Sequence, residues 1–182
     1  MELIVALTGA SGVSIGARLL DVLAEQGRHE VHLLVSDGAR AVMAHELGAD
    51  PALPASWRWD VGNLAAPIAS SSRAAEAMVV VPCSMKTLAA MAHGYANDLI
   101  VRCAEVMLRI DRPLVVVPRE TPLSLPAIEN MRLLKLAGAI LLPPVVAYYP
   151  RPQTVDDITD FFVGKILDVL GLDHDLYRRW GD

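Results

Sequence analysis

Glu2-Leu-Ile-Val-Ala-Leu7, followed at once by Thr8-Gly-Ala-Ser-Gly12 and then by Ile15, Leu19, Val22 and Leu23, is the stretch that decides the fold. A strand that covers one core alternates apolar and polar residues, whereas the run from Leu3 to Leu7 is continuously apolar, as parallel strands buried on both faces are. The glycine-containing turn reverses the chain, the apolar residues after it recur at helical spacing, and Gly27 is a C-cap signal. Strand, tight turn and returning helix make the first unit of a doubly wound sheet.

The same unit recurs outward from it. Val31 to Val35 reads as a second strand, and Ser36 as the N-cap of a helix through Ala39, Val42, Met43 and Leu47 to Gly48. From Ala49 to Ser72, three prolines, Trp57, Trp59 and Ser70-Ser71-Ser72 suggest a loop with at most a short element. Met78 to Val81 is predicted as a central strand stopped by Pro82, with helices from Ser84 to about His93 and from Asp98 to Ile110. Leu114 to Val117 is the next strand, closed by Pro118. Ser124 to Ala137 is helical, and Ala139 to Leu142 is a last short strand. Thr154 caps a final helix with a predicted apolar face of Val155, Ile158, Phe162, Ile166 and Val169. The expected fold is α/β, a Rossmann- or flavodoxin-like three-layer sandwich. Ligands in such sheets sit at the carboxyl ends of the strands, which here are Thr8–Gly12, Ser36–Asp37, Pro82–Thr87 and Pro118–Pro122.

With 182 residues the chain is expected to form a single domain, residues 1–182. Its 16 basic and 21 acidic residues leave a net charge of −5, which argues against nucleic-acid binding through phosphate neutralisation. The composition is 53% hydrophobic and only 20% charged, more apolar than one isolated globule readily hides, so a homo-oligomer is expected. The longest uncharged stretch, Leu136 to Pro150, is broken by Pro143 and Pro144 and is too short for a bilayer span of about 20 residues. Without a signal-like N-terminus or a disulfide framework, the expected location is the cytoplasm.

The constellations differ in weight. The first turn brings glycine backbone to a helix N-terminus, an arrangement that suits a phosphate. Thr-Gly-Ala-Ser-Gly is shared with short-chain dehydrogenases, but no tyrosine here has the lysine four residues on that their chemistry requires. Ser84 and Thr87 open the helix after the central strand, as caps or as ligands of an anion. Arg102, Glu105 and Arg109 share one helix face, where spacing alone favours an ion-paired stripe over a phosphate pocket. Asp156-Asp-Ile-Thr-Asp160 matches a magnesium-binding pattern, but it opens a capped helix where acids meet the macrodipole favourably. The histidines have no metal-ligand spacing, and Cys83 reads as a buried apolar residue rather than a nucleophile.

Taken together, Thr8-Gly-Ala-Ser-Gly12, Pro82-Cys-Ser-Met-Lys-Thr-Leu88, Arg119-Glu-Thr-Pro-Leu123 and Pro143-Pro-Val-Val-Ala-Tyr-Tyr149 with Arg151-Pro-Gln-Thr154 resemble the UbiX-type flavin prenyltransferases, in register from Leu3 to about Trp180. The resemblance implies binding of FMN and of dimethylallyl phosphate. It also implies formation of prenylated FMN for a UbiD-type decarboxylase, without a metal. The flavin contacts it implies are Gly9, Ala10 and Ser11, then Ser36, then Ser84, Met85, Lys86 and Thr87, and finally Arg119. The prenyl-phosphate pocket it implies comprises Arg102, Arg109, Tyr149 and Lys165, with Trp180 as an aromatic near the prenyl group. Ser11, Glu46 and Glu120 match positions implicated in catalysis. Family members form dodecamers with sites shared between chains, so the segment from about 150 to 182 is expected to pack on a neighbouring subunit. Arg109 stands where many relatives have lysine, and Lys165 where many have arginine. Different functions that fit the same residues are an FMN-binding decarboxylase and an accessory subunit that only carries the flavin.

Overall fold

The computed structural model describes residues 1–48 and 51–181. Within them the chain forms β1 (Glu2–Leu7), α1 (Val13–Gln26), β2 (Glu30–Val35), α2 (Asp37–Glu46), β3 (Trp57–Trp59), β4 (Ala77–Cys83), α3 (Met85–Ala92), α4 (Leu99–Arg109), β5 (Leu114–Pro118), α5 (Leu125–Leu136), β6 (Ile140–Leu141) and α6 (Val155–Leu170). Two 3-10 turns, Pro67–Ala69 and Ser71–Arg73, lead into β4. The sheet order is β3-β2-β1-β4-β5-β6 and every pairing is parallel. The expected doubly wound α/β sandwich is therefore present, and its winding reverses between β1 and β4.

The apolar strands serve two cores by alternation, as a period of two requires. Leu3, Val5 and Leu7 of β1 join Val79, Val81, Val115 and Val117 beneath α1 and α6. Ile4 and Ala6 join Met78, Val80, Leu114 and Val116 on the face covered by α3 and α4. Side-chain caps fix five helix starts, with Ser36, Ser84, Asp98, Ser124 and Thr154 each accepting an N–H from the first turn.

Two sequence expectations need correction. β4 does not stop at Val81 but continues to Cys83, because the β4–β5 ladder shifts register between Val80 and Cys83 and Pro82 needs no donor there. The short element expected in the tract after α2 is an edge strand, Trp57–Trp59, paired to His32–Leu34. The predicted loop begins at Ala49 and Asp50, which lie outside the described residues. Finally, α6 buries Phe161, Phe162, Val163, Ile166, Leu167 and Leu170. Val155 and Val169, predicted on that face, are exposed. The helix is covered on more than one side, by the sheet and α1 and by the segment that follows it.

Candidate active site at the topological switch point

Thr8 closes the gap between the two halves of the sheet. Buried at the end of β1, it donates from both its backbone N (3.2 Å) and its Oγ1 (2.9 Å) to the Pro82 carbonyl. The same Oγ1 accepts the Ser84 N–H at 2.7 Å. Neighbouring strand ends are tied in likewise: Ser36 N–H donates to Leu7 O (3.1 Å) and Arg119 N–H to Cys83 O (3.2 Å). The turn after β1 also touches the start of α2, and a Cβ on Gly9 would lie 3.0 Å from the Gly38 Cα, so glycine lets the two backbones meet. All four predicted strand-end segments therefore border one crevice, at the place where open parallel sheets take ligands.

Helix N-termini supply its donors. Ser36 Oγ accepts Ala39 N–H, while Ser84 Oγ accepts Thr87 N–H and donates to Thr87 Oγ1 at 3.1 Å. These caps each satisfy one amide, leaving the earlier first-turn N–H groups of α2 and α3 (Asp37, Gly38, Met85, Lys86) without intrahelical acceptors. The turn beneath α1 is different. Glu46, on the last turn of α2, accepts Gly12 N–H (3.0 Å) and Val13 N–H (3.2 Å), so this helix start holds the chain's own carboxylate. Glu46 thus lies beside Ser11, and the anion site expected at the first turn is taken at those amides. Met85 is half-buried, Lys86, Arg119 and Glu120 are exposed, and Glu120 accepts the Thr121 N–H.

The predicted prenyl-phosphate residues fall in two other places. Arg102 donates to Glu105 at 2.7 Å, and Arg109 lies 3.9 Å from the same carboxylate. Helix α4 starts at the carboxyl edge, where Leu99 N–H meets Val61 O, and ends at the amino edge, where Arg112 meets Ala75 O. Arg109 is therefore at the end of the sheet away from the crevice. The remaining residues gather around α6. Tyr149 packs edge-on against Trp180 (5.3 Å between centroids) and Phe161 (6.1 Å), and Phe161 against Tyr177 (4.9 Å). Lys165 donates to Asp168 at 3.2 Å. Burial pushes the Asp168 carboxyl up, but hydrogen bonds from Tyr177, Arg179, His174 and Lys165 outweigh it and hold the group well below the usual carboxylate range.

Sequence reasoning missed Thr8 as a keystone, although a hydroxyl ending an apolar strand was a readable signal, and missed Asp168 and Tyr177, which carried none. The aspartates of the magnesium-like pattern have separate tasks. Asp157 forms a capping box with Thr154, and Asp160 pairs with Arg18 at 2.7 Å. Among the described residues no cluster of three or more His, Cys, Asp or Glu is placed to hold a metal. Both cysteines are buried, which pushes the Cys83 thiol up strongly and Cys103 up to about 12, so neither offers a thiolate.

The Flavoprotein family model matches residues 1–167. Flavin prenyltransferase UbiX of Methanocaldococcus jannaschii is 44% identical over 190 residues, covering 100% of this chain and 99% of that relative. The chain belongs to the UbiX flavin prenyltransferase family. Two solved UbiX-type structures superpose along its whole length. A dodecameric FMN-dependent UbiX-like decarboxylase from Escherichia coli O157:H7 has a TM-score of 0.94 at 42% identity and is covered completely. A UbiX in complex with FMN and dimethylallyl pyrophosphate has a TM-score of 0.94 at 41% identity and is 97% covered. One protomer of this UbiX-family chain brings the strand-end segments together, and leaves Arg109 at the far end of α4.

Proposed function

We propose that the protein transfers the dimethylallyl group of dimethylallyl phosphate to N5 and C6 of reduced FMN, yielding prenylated FMN for a UbiD-type decarboxylase. One observation carries the reading: the whole chain shares its fold with a UbiX that binds FMN and dimethylallyl pyrophosphate. The crevice suits FMN by its donor set, because two helix N-termini and the hydroxyls of Ser36, Ser84 and Thr87 converge at the switch point. Reduced FMN supplies the nucleophilic N5 and C6.

The chain's own residues divide the remaining work. Gly9, Ala10 and Ser11 line the first turn, the Asp37, Gly38, Met85 and Lys86 amides offer the donors an anionic phosphate requires, and Arg119 flanks them at the end of β5. Arg102, Arg109 and Lys165 stabilise the charge that builds on the departing donor phosphate. The ring faces of Tyr149 and Trp180 favour the positive charge developing on the dimethylallyl carbon. Glu120, exposed at the crevice, and the departing phosphate transfer the protons: ring closure adds one to the dimethylallyl double bond and removes one from C6. Ser11 sits next to the amides that Glu46 holds, so Glu46 fixes the turn on which Ser11 acts.

Because Arg109 lies at the opposite edge from its own crevice, α4 completes the site of a neighbouring copy. The protein is accordingly a homo-oligomer, a dodecamer as in the Escherichia coli relative, with the segment from about 150 to 182 near a subunit boundary. No helix among the described residues is long and apolar enough to cross a membrane; the proposed location is the cytoplasm.

The deciding experiment incubates purified protein anaerobically with reduced FMN and either dimethylallyl phosphate or the pyrophosphate, then weighs the extracted flavin. A flavin carrying one added dimethylallyl unit is expected. Bound but unaltered FMN with both donors refutes the transferase in favour of a flavin carrier.

A further inference from the structure

Trp180 is 82% exposed, yet it stands 5.3 Å from Tyr149. Its own contacts are too few to hold it there, so its position is set by the chain that precedes it. That chain, residues 172–181, doubles back along α6 and converges on one carboxylate. Asp168 Oδ1 accepts His174 Nε2 at 3.0 Å and Arg179 Nη1 at 2.9 Å. Asp168 Oδ2 accepts Lys165 Nζ at 3.2 Å and the Tyr177 hydroxyl. The Leu176 N–H donates to His174 Nδ1 at 3.2 Å, which leaves the ring proton on Nε2, directed at Asp168. Three residues of the returning segment and one of α6 thus share a single acceptor group.

A second, steric observation points to the same clasp. Gly164 lies in the middle of α6, where glycine is a poor helix former. A Cβ there would come within 2.6 Å of the Tyr177 ring and 2.8 Å of the His174 ring. The returning segment lies so close on the helix that only glycine leaves room. Tyr177, seated in this notch, also meets Phe161 at 4.9 Å, and Phe161 meets Tyr149.

We propose that Asp168 is a positioning residue for the prenyl-donor side of the site: it holds the Lys165 ammonium and, with the Gly164 notch, clasps residues 172–181 so that Trp180 meets Tyr149. This rests on the reading of Lys165, Tyr149 and Trp180 as the donor pocket. Asp168 touches neither donor nor flavin in this scheme and acts through the groups it orients, where displacements of about an ångström change rates strongly.

The test compares Asp168→Asn and Gly164→Ala with wild type in the full-length, FMN-loaded protein. Hydrogen exchange of residues 172–181 reports the clasp. Calorimetric titration with dimethylallyl phosphate and the KM and kcat for that donor report the pocket. Both variants are expected to speed exchange in this segment by about tenfold or more. Both should also weaken donor binding and raise its KM by about tenfold, while FMN affinity stays within about twofold. Gly164→Ala leaves the carboxylate and its Lys165 pair in place, so it decides the matter if Asp168→Asn fails to fold. Unchanged exchange overturns the clasp, and faster exchange with unaltered donor binding overturns the positioning role. Wild-type protein that binds the donor but makes no adduct refutes the transferase reading instead, and the exchange and titration data still decide this one.

Discussion

Replacing Thr8 with valine tests whether the stitch across the switch point holds the crevice. The side chain is 1% exposed, so valine keeps its shape and removes only the hydroxyl. Two hydrogen bonds are lost, at 2.9 Å to Pro82 O and at 2.7 Å from Ser84 N–H. Pro82 O retains a donor, because the Thr8 N–H also reaches it, so that loss costs about 1 kcal/mol. The Ser84 N–H loses its acceptor at a half-buried position, which costs about 1–3 kcal/mol. The added methyl returns about 0.8 kcal/mol by burial. The net is about 2 kcal/mol, equivalent to a fall of about 4–8 °C in the thermal midpoint of a chain this long. Ser84 begins α3 beside the crevice, so the valine variant should also bind FMN less tightly, measured by quenching of flavin fluorescence. Thr8→Ser keeps both bonds and gives up one buried methyl; it should leave FMN affinity intact. Wild-type midpoint and flavin affinity in the valine variant would refute the reasoning.

The remaining predictions concern charge, metal and the thiols. Arg102→Ala or Lys165→Ala should raise the KM for the prenyl donor about 10- to 100-fold, the range for a lost charged hydrogen bond, with FMN still bound; loss of flavin binding with the donor KM unmoved would reverse the assignment. EDTA should leave turnover unchanged, and Asp157→Ala should lower the thermal midpoint by removing the capping box without touching the prenylation rate; activity abolished by EDTA and restored by magnesium would revive a metal-dependent reaction. The thiols give a pH dependence whose sign is fixed: burial raises both thiol pKa values in the fold, so the unfolded chain ionises first. Their contribution is complete below about pH 9 and is lost as pH rises toward 12, at about 1.4 kcal/mol per thiol per pH unit. Chemical denaturation at pH 8 and 10, with and without Cys83→Ala and Cys103→Ala, measures the slope; equal slopes in all three proteins would contradict it.

Much of the fold was legible because buried parallel strands leave continuous apolar runs and because hydroxyl caps mark helix starts. Leu3 to Leu7 and Ser36 show both signals, and the structure follows each. Trp57–Trp59 was legible only as a short element of no assigned type: three residues at a sheet edge bury too little to leave a pattern. The α6 face was misread for a different reason. A single apolar stripe assumes one covered side, whereas Gly164 and Phe161 meet the returning segment while Ile166 and Leu167 meet the main core. At the site, the strand-end segments were readable from topology alone, since parallel winding puts every strand terminus on one edge. Asp168 was not, because its partners lie at separations of 3, 6, 9 and 11 residues that follow no single period.

The cationic groups assigned to the donor phosphate all carry a carboxylate of the same chain, and this bears on how the site takes its substrate. Glu105 serves Arg102 and Arg109, Asp168 serves Lys165, and Glu46 serves the α1 amides in the same manner. Bare clustered cations would repel one another and destabilise the chain before any substrate arrived. Partly exposed pairs such as those of Glu105 contribute little to stability, about 0–1 kcal/mol each, so Arg102 and Arg109 exchange that carboxylate for a phosphate oxygen at little cost. Lys165 keeps Asp168 and turns a remaining donor to the phosphate. The exchange gains where the phosphate presents more charge than one carboxylate and accepts donors from more than one element, as the proposed pairing of α4 from a neighbouring copy with α6 would provide. A chain with a net charge of −5 has no long-range field to draw in a dianion. On the proposed reading, affinity for the donor then comes from this close-range exchange of partners across a subunit boundary.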